Sequence, residues 1–323
     1  MNRAIPTIMG GLLLLVVCPA YSEEVAPRKP GGLRFGLTSP RSPSPAKQSE
    51  PPSAAPAEPI EGTKPAVKAP KKVPSLDEMI LFQPRKNGNW APPGLEFRDV
   101  EFEAVDRTKL HAWYCPAEKP RAVVLYCHGN SGNIAWLAEF LEYVRTRHQL
   151  SVLAFDYRGY GKSVGTPTVE GVLADGRAAR AKCSELAGVP ETEIVLWGRS
   201  MGGAVAVQLA SEERPRGLIL ECTFDSFKTV AKHHVPQWAF LVPDERLASV
   251  RQIPQVTCPL FQVHGTADRV VPYQSGQALH QAANEPKFFL TLPEADHNTP
   301  PPAKMYDQIG RFIEIQCPVG RAP

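Results

Sequence analysis

Residues 194–209 constrain the 323-residue chain more than any other stretch. A short, wholly apolar run meets Gly198-Arg199-Ser200-Met201-Gly202 and continues through Gly203, Ala204, Val205, Ala206 and Val207. The first part reads as a strand buried on both faces and the second as a closely packed helix. A turn that sharp needs glycines where strand and helix backbones approach, and it leaves the central serine exposed and strained. The helix N-terminus also favours negative charge developing beside it. The chain carries its own control for this spacing. Gly161-Lys162-Ser163-Val164-Gly165 also matches, yet it follows a tight turn at 158–160 and runs into Thr166-Pro167, with no helix opening on Ser163. It reads as a loop. A phosphate-binding loop is excluded too, because the motif's first glycine would fall on Asp156.

The surrounding pattern places Ser200 in a particular kind of sheet. Residues 100–105 and 110–115 alternate apolar and polar side chains, as half-exposed antiparallel strands do. Residues 122–127, 152–156, 194–197, 218–221, 260–264 and 288–292 are continuous apolar runs, the pattern of parallel strands covered on both faces. Helices are expected at 133–147, 169–187, 201–213, 273–283 and 303–315. The alternation implies an α/β fold with a mostly parallel eight-stranded sheet and helices on both faces. Chemistry in such a sheet gathers beyond the carboxyl ends of the strands.

Three of those ends supply partners for Ser200. A serine hydroxyl needs a base, and the base must be oriented. Asp268 follows the apolar run ending in Val263-His264-Gly265, and His297 follows the next run. The expected roles are Ser200 nucleophile, His297 general base and then acid, and Asp268 the group orienting the imidazole, with Asp296 and Glu221 as weaker choices for the acid. Residues 126–132, containing His128-Gly129-Asn130-Ser131, follow the third strand. The backbone N–H groups of Met201 and Asn130 are the expected oxyanion donors, Ser131 competing with Asn130. His128 and His264 are expected to brace their loops.

These blocks together resemble the α/β-hydrolase superfamily over residues 98–315. The Cys127-His128-Gly129-Asn130, Asp156-Tyr157-Arg158-Gly159-Tyr160-Gly161, Gly198-Arg199-Ser200-Met201-Gly202-Gly203 and His264-Gly265-Thr266-Ala267-Asp268 segments are similar to the branch holding protein depalmitoylases, monoacylglycerol-type lipases and many bacterial hydrolases. The resemblance implies a serine hydrolase of esters or thioesters with no cofactor and no metal. A peptidase or amidase on the same fold, and a non-catalytic binding module, are the alternatives. Asn298-Thr299 departs from the family pattern, where an acidic residue commonly follows the histidine, and this bears on how that loop is held.

The remaining features bound location and partners. Arg3, an apolar run at 8–17 and Ala20-Tyr21-Ser22 read as a signal peptide over 1–22, directing the chain to the periplasm or medium. Lipid anchoring at Cys18 is disfavoured by Val17 before it. Residues 23–75 hold twelve prolines, with nine Lys and Arg against five Asp and Glu, and read as a disordered linker able to touch an anionic envelope surface. Residues 76–323 hold 26 basic and 28 acidic side chains, which argues against a nucleic-acid partner and leaves a small-molecule or lipid ester. Cys127 and Cys222 read as strand residues, where free cysteine behaves as a small hydrophobe, and a disulfide is not expected, Cys258–Cys317 being the pair that would form one. Residues 222–257 are expected to form a small cap whose Phe224, Phe227, Trp238, Phe240 and Leu241, with Trp136, line an acyl cleft. His233-His234 has no third ligand placed to make a metal site.

Overall fold

The computed structural model describes residues 73–318. The expected signal peptide with Cys18, and the proline-rich stretch up to residue 72, lie outside the described residues. Eight strands, β1 (Arg98–Glu103), β2 (Lys109–Cys115), β3 (Ala122–Cys127), β4 (Leu150–Asp156), β5 (Ile194–Arg199), β6 (Gly217–Glu221), β7 (Leu260–Gly265) and β8 (Lys287–Leu292), form one sheet in the order β8-β7-β6-β5-β3-β4-β2-β1. Only β2 runs against both its neighbours. The others are parallel, so their carboxyl ends share one edge.

The continuous apolar runs work because alternate residues serve two different cores. Leu125, Leu153, Phe155, Leu196, Leu218 and Leu220 face one side, while Val124, Val152, Ala154, Val195, Trp197 and Ile219 face the other. The helices are α1 (Leu76–Leu81), α2 (Ala138–Arg147), α3 (Val169–Ala187), α4 (Met201–Glu212), α5 (Phe227–His234), α6 (Ser249–Gln252), α7 (Tyr273–Ala282) and α8 (Ala303–Gln316). Helices α3, α4 and α7 cover the first face; α2 and α8 cover the second. Thr168 caps α3 by accepting from the Gly171 N–H (3.1 Å), and Gly188 ends it at φ 67°, a left-handed conformation that glycine adopts without strain.

Several expectations are corrected. Strand β8 is an edge strand rather than one covered on both faces, and Phe288 is 40 % exposed. The helix expected from residue 133 begins as a 3-10 turn, Ile134–Leu137, capped by Asn133, before α2. Cys222 is not in a strand but one residue past β6, with φ 47°. Cys258 and Cys317, in keeping with the disfavoured disulfide, are buried free thiols, as are Cys115, Cys127 and Cys183. Helix α1 was not expected at all. It opens at Ser75, whose N–H donates to the Glu78 carboxylate (2.9 Å), and Glu78 also accepts from the Val169 N–H (2.8 Å) at the start of α3.

One buried ion pair fastens the loop after β4 to α3. The Arg158 guanidinium makes a fork on Asp175 (2.7 and 3.0 Å) and reaches Asp106 on its other side (2.8 Å). Burial pushes the Asp175 carboxyl up while Arg158 pulls it down; Asp106, less buried, is held at about 2, mainly by Arg158. Breaking such a pair strands a charge in the interior. Asp175→Ala is expected to lower unfolding stability by about 3–5 kcal/mol, read from denaturant midpoints at constant slope.

Candidate active site

Ser200 stands between β5 and α4 with φ 54° and ψ −122°, a conformation that costs a non-glycine residue of order 1–3 kcal/mol. The strain is held by main chain. The Ser200 N–H donates to the Glu221 carbonyl (2.8 Å), and Ser200's own carbonyl accepts from Gly203 (3.0 Å). A Cβ on Gly202 would lie 2.0 Å from the Cys127 carbonyl oxygen, and one on Gly198 would lie 2.3 Å from that of Gly202. Close packing here demands the two glycines of the motif.

His297 and Asp268 meet in the loops after β8 and β7. His297 Nδ1 is 2.8 Å from Asp268 Oδ2, both residues being buried. Asp268 Oδ1 accepts from the Val270 and Val271 N–H groups (2.9 and 2.8 Å). Burial opposes the charge on Asp268, but hydrogen bonds from His264 and His297 outweigh it and hold the carboxyl well below the usual carboxylate range. Burial lowers the His297 pKa, with Arg199 adding to this and Asp268 opposing it. Arg199 also grips the backbone of this loop, donating to the His297 carbonyl (2.6 Å) and to Asn298 Oδ1 (3.2 Å). The departure at Asn298 thus places a neutral acceptor on Arg199.

The turn after β3 faces Ser200 from the other side. The Asn130 side chain anchors it: its Oδ1 accepts from the Gln83 N–H (3.0 Å) and the Tyr160 hydroxyl (2.8 Å), and its Nδ2 donates to the Leu81 carbonyl. Ser131 is drawn into a two-residue parallel pairing with Gln83. Met201, first in α4, has a backbone N–H with no intrahelical acceptor. Ser200, Met201, Gly129, Asn130, Ser131 and His297 line one cleft of about 630 Å³ including its open mouth. Leu81 and Gln83, from the segment beginning with α1, line it too. Their part was not read from the sequence, although Ser75-x-x-Glu78 is a helix-start pattern that announces α1.

The other candidates are placed elsewhere. Ser163 is buried, donating from Oγ to the Asp156 carbonyl (2.6 Å) and accepting from the His111 N–H (2.9 Å). Asp296 pairs with the Arg269 side chain and accepts from its own neighbour's N–H, away from the His297 ring. Glu221 is buried beneath Ser200; it accepts from the Trp197 indole, and burial raises its pKa against the pull of Arg199. His128 turns inward, Nδ1 lying 2.7 Å from the Gly129 carbonyl, so it braces the turn as expected. His233 and His234 hydrogen-bond to the carbonyls of Arg269 and Val270 (3.3 and 2.8 Å). Among the described residues, one trio could close on a metal: Cys222 Sγ, an Asp268 oxygen and a His297 nitrogen within 4.8 Å of one another. Asp268 and His297 are already bonded to each other, and burial pushes the Cys222 thiol up to about 12.

Apolar side chains from the cap enter the cleft selectively. Phe224, Phe227 and Val230 line it. Phe227 and Val230 also border a second apolar cavity of about 690 Å³, shared with Leu76, Trp238, Leu241 and Val242. Phe240, 71 % exposed, and Trp136, packed on Gly132, line neither, contrary to expectation.

A mostly parallel sheet with Ser200 at a strained strand–helix turn defines an α/β hydrolase in architecture. The comparisons with known proteins agree: the chain belongs to the α/β-hydrolase superfamily. Residues 118–244 match the family described as serine aminopeptidase, S33. The uncharacterized protein Rv2307c of Mycobacterium tuberculosis is 36 % identical over 234 residues, covering 69 % of this chain and 82 % of that protein. The uncharacterized protein YfhR of Escherichia coli K12 is 34 % identical over 217 residues (64 % and 76 %). Among solved structures, the Pyrococcus furiosus esterase Pf2001 superposes with a TM-score of 0.62 at 22 % identity, covering 73 % of this chain and 98 % of that one. At that identity the likeness is one of fold.

The contact at Gly202 yields a direct test. Gly202→Ala forces main-chain atoms apart, so a stability loss at or above the ~1–3 kcal/mol typical of overpacking is expected. Unchanged thermal unfolding would contradict the close approach described.

Proposed function

We propose that this α/β hydrolase cleaves carboxylic esters or thioesters through an acyl-Ser200 intermediate. The observation that carries the reading is the shared cleft. Ser200, held strained at its turn, and His297, whose other ring nitrogen is bound to an ionised Asp268, both line it. His297 takes the Ser200 proton as Oγ attacks the acyl carbon. The oxyanion formed accepts from the N–H groups of Met201 and Asn130. Asn130 is preferred over Ser131 because its side chain is pinned by three hydrogen bonds while Ser131 pairs with Gln83. Collapse expels the alcohol or thiol, which receives the proton from His297. Water then attacks the acyl-enzyme with His297 again as base, and the acid departs.

The aminopeptidase description of the matched family raises a second reading, peptide cleavage from a free amino end. Such a substrate brings an α-ammonium group that needs a carboxylate partner. Among the described residues the lining of the cleft includes no Asp or Glu, and Arg199 is its one charged side chain. This favours a neutral or anionic acyl substrate over an α-ammonium one. Export through residues 1–22, with 23–75 as a tether, belongs to the same proposal.

Ser200→Ala is expected to lower p-nitrophenyl ester turnover by about 10³-fold or more and to abolish labelling by a fluorophosphonate. Ser163→Ala should leave the labelling intact. Retained labelling in Ser200→Ala would remove the nucleophile assignment. The pH profile carries a second expectation. His297 must be unprotonated to accept the Ser200 proton, and its pKa lies below the ordinary 6.5, so kcat/KM should hold its plateau below pH 6.5 before falling. An acid limb centred well above 6.5 would contradict the burial of the base.

A further inference from the structure

We infer that His264 is a positioning residue for Asp268, tuning how strongly that carboxylate binds the His297 ring. The inference rests on reading Asp268 and His297 as acid and base. His264 is the penultimate residue of β7 and is wholly buried. Its Nε2 lies 3.0 Å from the Val271 carbonyl and 3.2 Å from Asp268 Oδ2, the same oxygen that receives His297 Nδ1. Nδ1 has no partner among the described residues and faces α7, where a Cβ on Gly276 would lie 2.2 Å away. The hydrogen of the ring therefore sits on Nε2, and the tautomer is set by packing rather than by solvent.

Two imidazoles thus share one carboxylate oxygen, with different parts to play. His297 borders the cleft; His264 borders only protein. A donor on the carboxylate spreads its charge and makes it a weaker acceptor for the other donor. Removing the His264 N–H, which bonds to the Val271 carbonyl and lies 3.2 Å from Oδ2, leaves that oxygen a stronger acceptor, which stabilises the protonated His297 ring, and it also frees Asp268 to turn. Activity should fall, and the acid limb should move to higher pH. Several other ionisable groups face this cluster. Among the described residues they include Tyr273 from α7, its ring edge-on to His264 at 5.8 Å, Arg199, Glu221 and Cys222 from the ends of β5 and β6, the Arg269–Asp296 pair on the loops of Asp268 and His297, and His233 and His234 against the carbonyls of Arg269 and Val270. None of these is altered in the test.

The test is the pH dependence of ester hydrolysis in His264→Leu, which removes the donor without adding a buried polar group. The expected result is a loss of about 10–100-fold in kcat/KM, the range for outer-shell hydrogen bonds, with the acid limb displaced upward by about one pH unit. Gly276→Ala displaces the ring without deleting it and should move the limb in the same direction. The His297 ring titration, followed by NMR in the Ser200→Ala background, needs no turnover and should rise on adding His264→Leu. Unmoved acid limbs, or an unmoved His297 titration, would overturn the inference even where activity falls, because a purely structural role lowers activity without shifting that midpoint. Failure of the wild type to hydrolyse esters would instead count against the reading of the site, with the NMR titration still deciding the part of His264.

Discussion

The contact of Gly202 with the carbonyls of Cys127 and His128 governs the carboxyl edge of the sheet. It sets the distance between the first turn of α4 and the end of β3, and so the distance between Ser200 and the turn carrying Asn130. A methyl group at that point would sit 2.0 Å from a carbonyl oxygen. No rotamer change can relieve that overlap, because both sides are main chain. The register of the sheet then carries the constraint outward. Cys127 is level with Gly198, Arg199 with Glu221, and Glu221 with Val263, so the loops bearing Ser200, Cys222 and Asp268 emerge at the same height.

A second constraint is electrical. The interior holds several carboxylates, and each survives there through dedicated donors. Asp175 has the Arg158 fork. Asp156 receives the Ile134 and Lys162 N–H groups (3.0 and 3.2 Å) and faces His111. Asp268 is different in kind, because only one of its four donors belongs to a side chain that borders the cleft. The two backbone N–H groups and His264 keep the charge in place whichever protonation state His297 adopts. A base that gains and loses a proton during a reaction needs an acid whose own charge does not depend on it.

Much of this was readable before any coordinates, and the reasons for the failures are specific. Runs such as 122–127 and 194–197 are apolar at every position because each residue meets one of two cores, so periodicity identifies them without tertiary knowledge. Residues 288–292 carry a similar run, yet β8 has no neighbour on its outer side, and local composition does not encode which strand ends up last. That Ser200, Asp268 and His297 sit in turns at the carboxyl ends of their strands was legible from loop positions. That Asp268, and not Asp296 one residue before His297, reaches the ring was a matter of direction: Asp296 turns back to Arg269. Helix α1 hid at the end of a proline-rich stretch, and its link to the site runs through Leu81 and Gln83, some 47–49 positions from Asn130.

The cap ties the shape of the cleft to the placement of Asp268. On α5, Phe227, Val230 and Ala231 fall on one buried face at helical spacing, and the first two border both apolar spaces. The end of the same helix carries His233 and His234, bonded to the carbonyls of Arg269 and Val270, next to Asp268 in sequence. The cap is also fastened to α1 through Arg246, whose guanidinium meets Asp77 at 2.6 Å. Tilting α5 to admit the bulkier acyl groups of the proposed reaction would therefore pull on the loop that supplies Asp268 with two backbone donors. Under the proposed ester hydrolysis, room in the cleft and orientation of His297 are thus coupled, which makes the Phe227–Val230 face the place where changes of substrate shape should be felt in turnover as well as in binding.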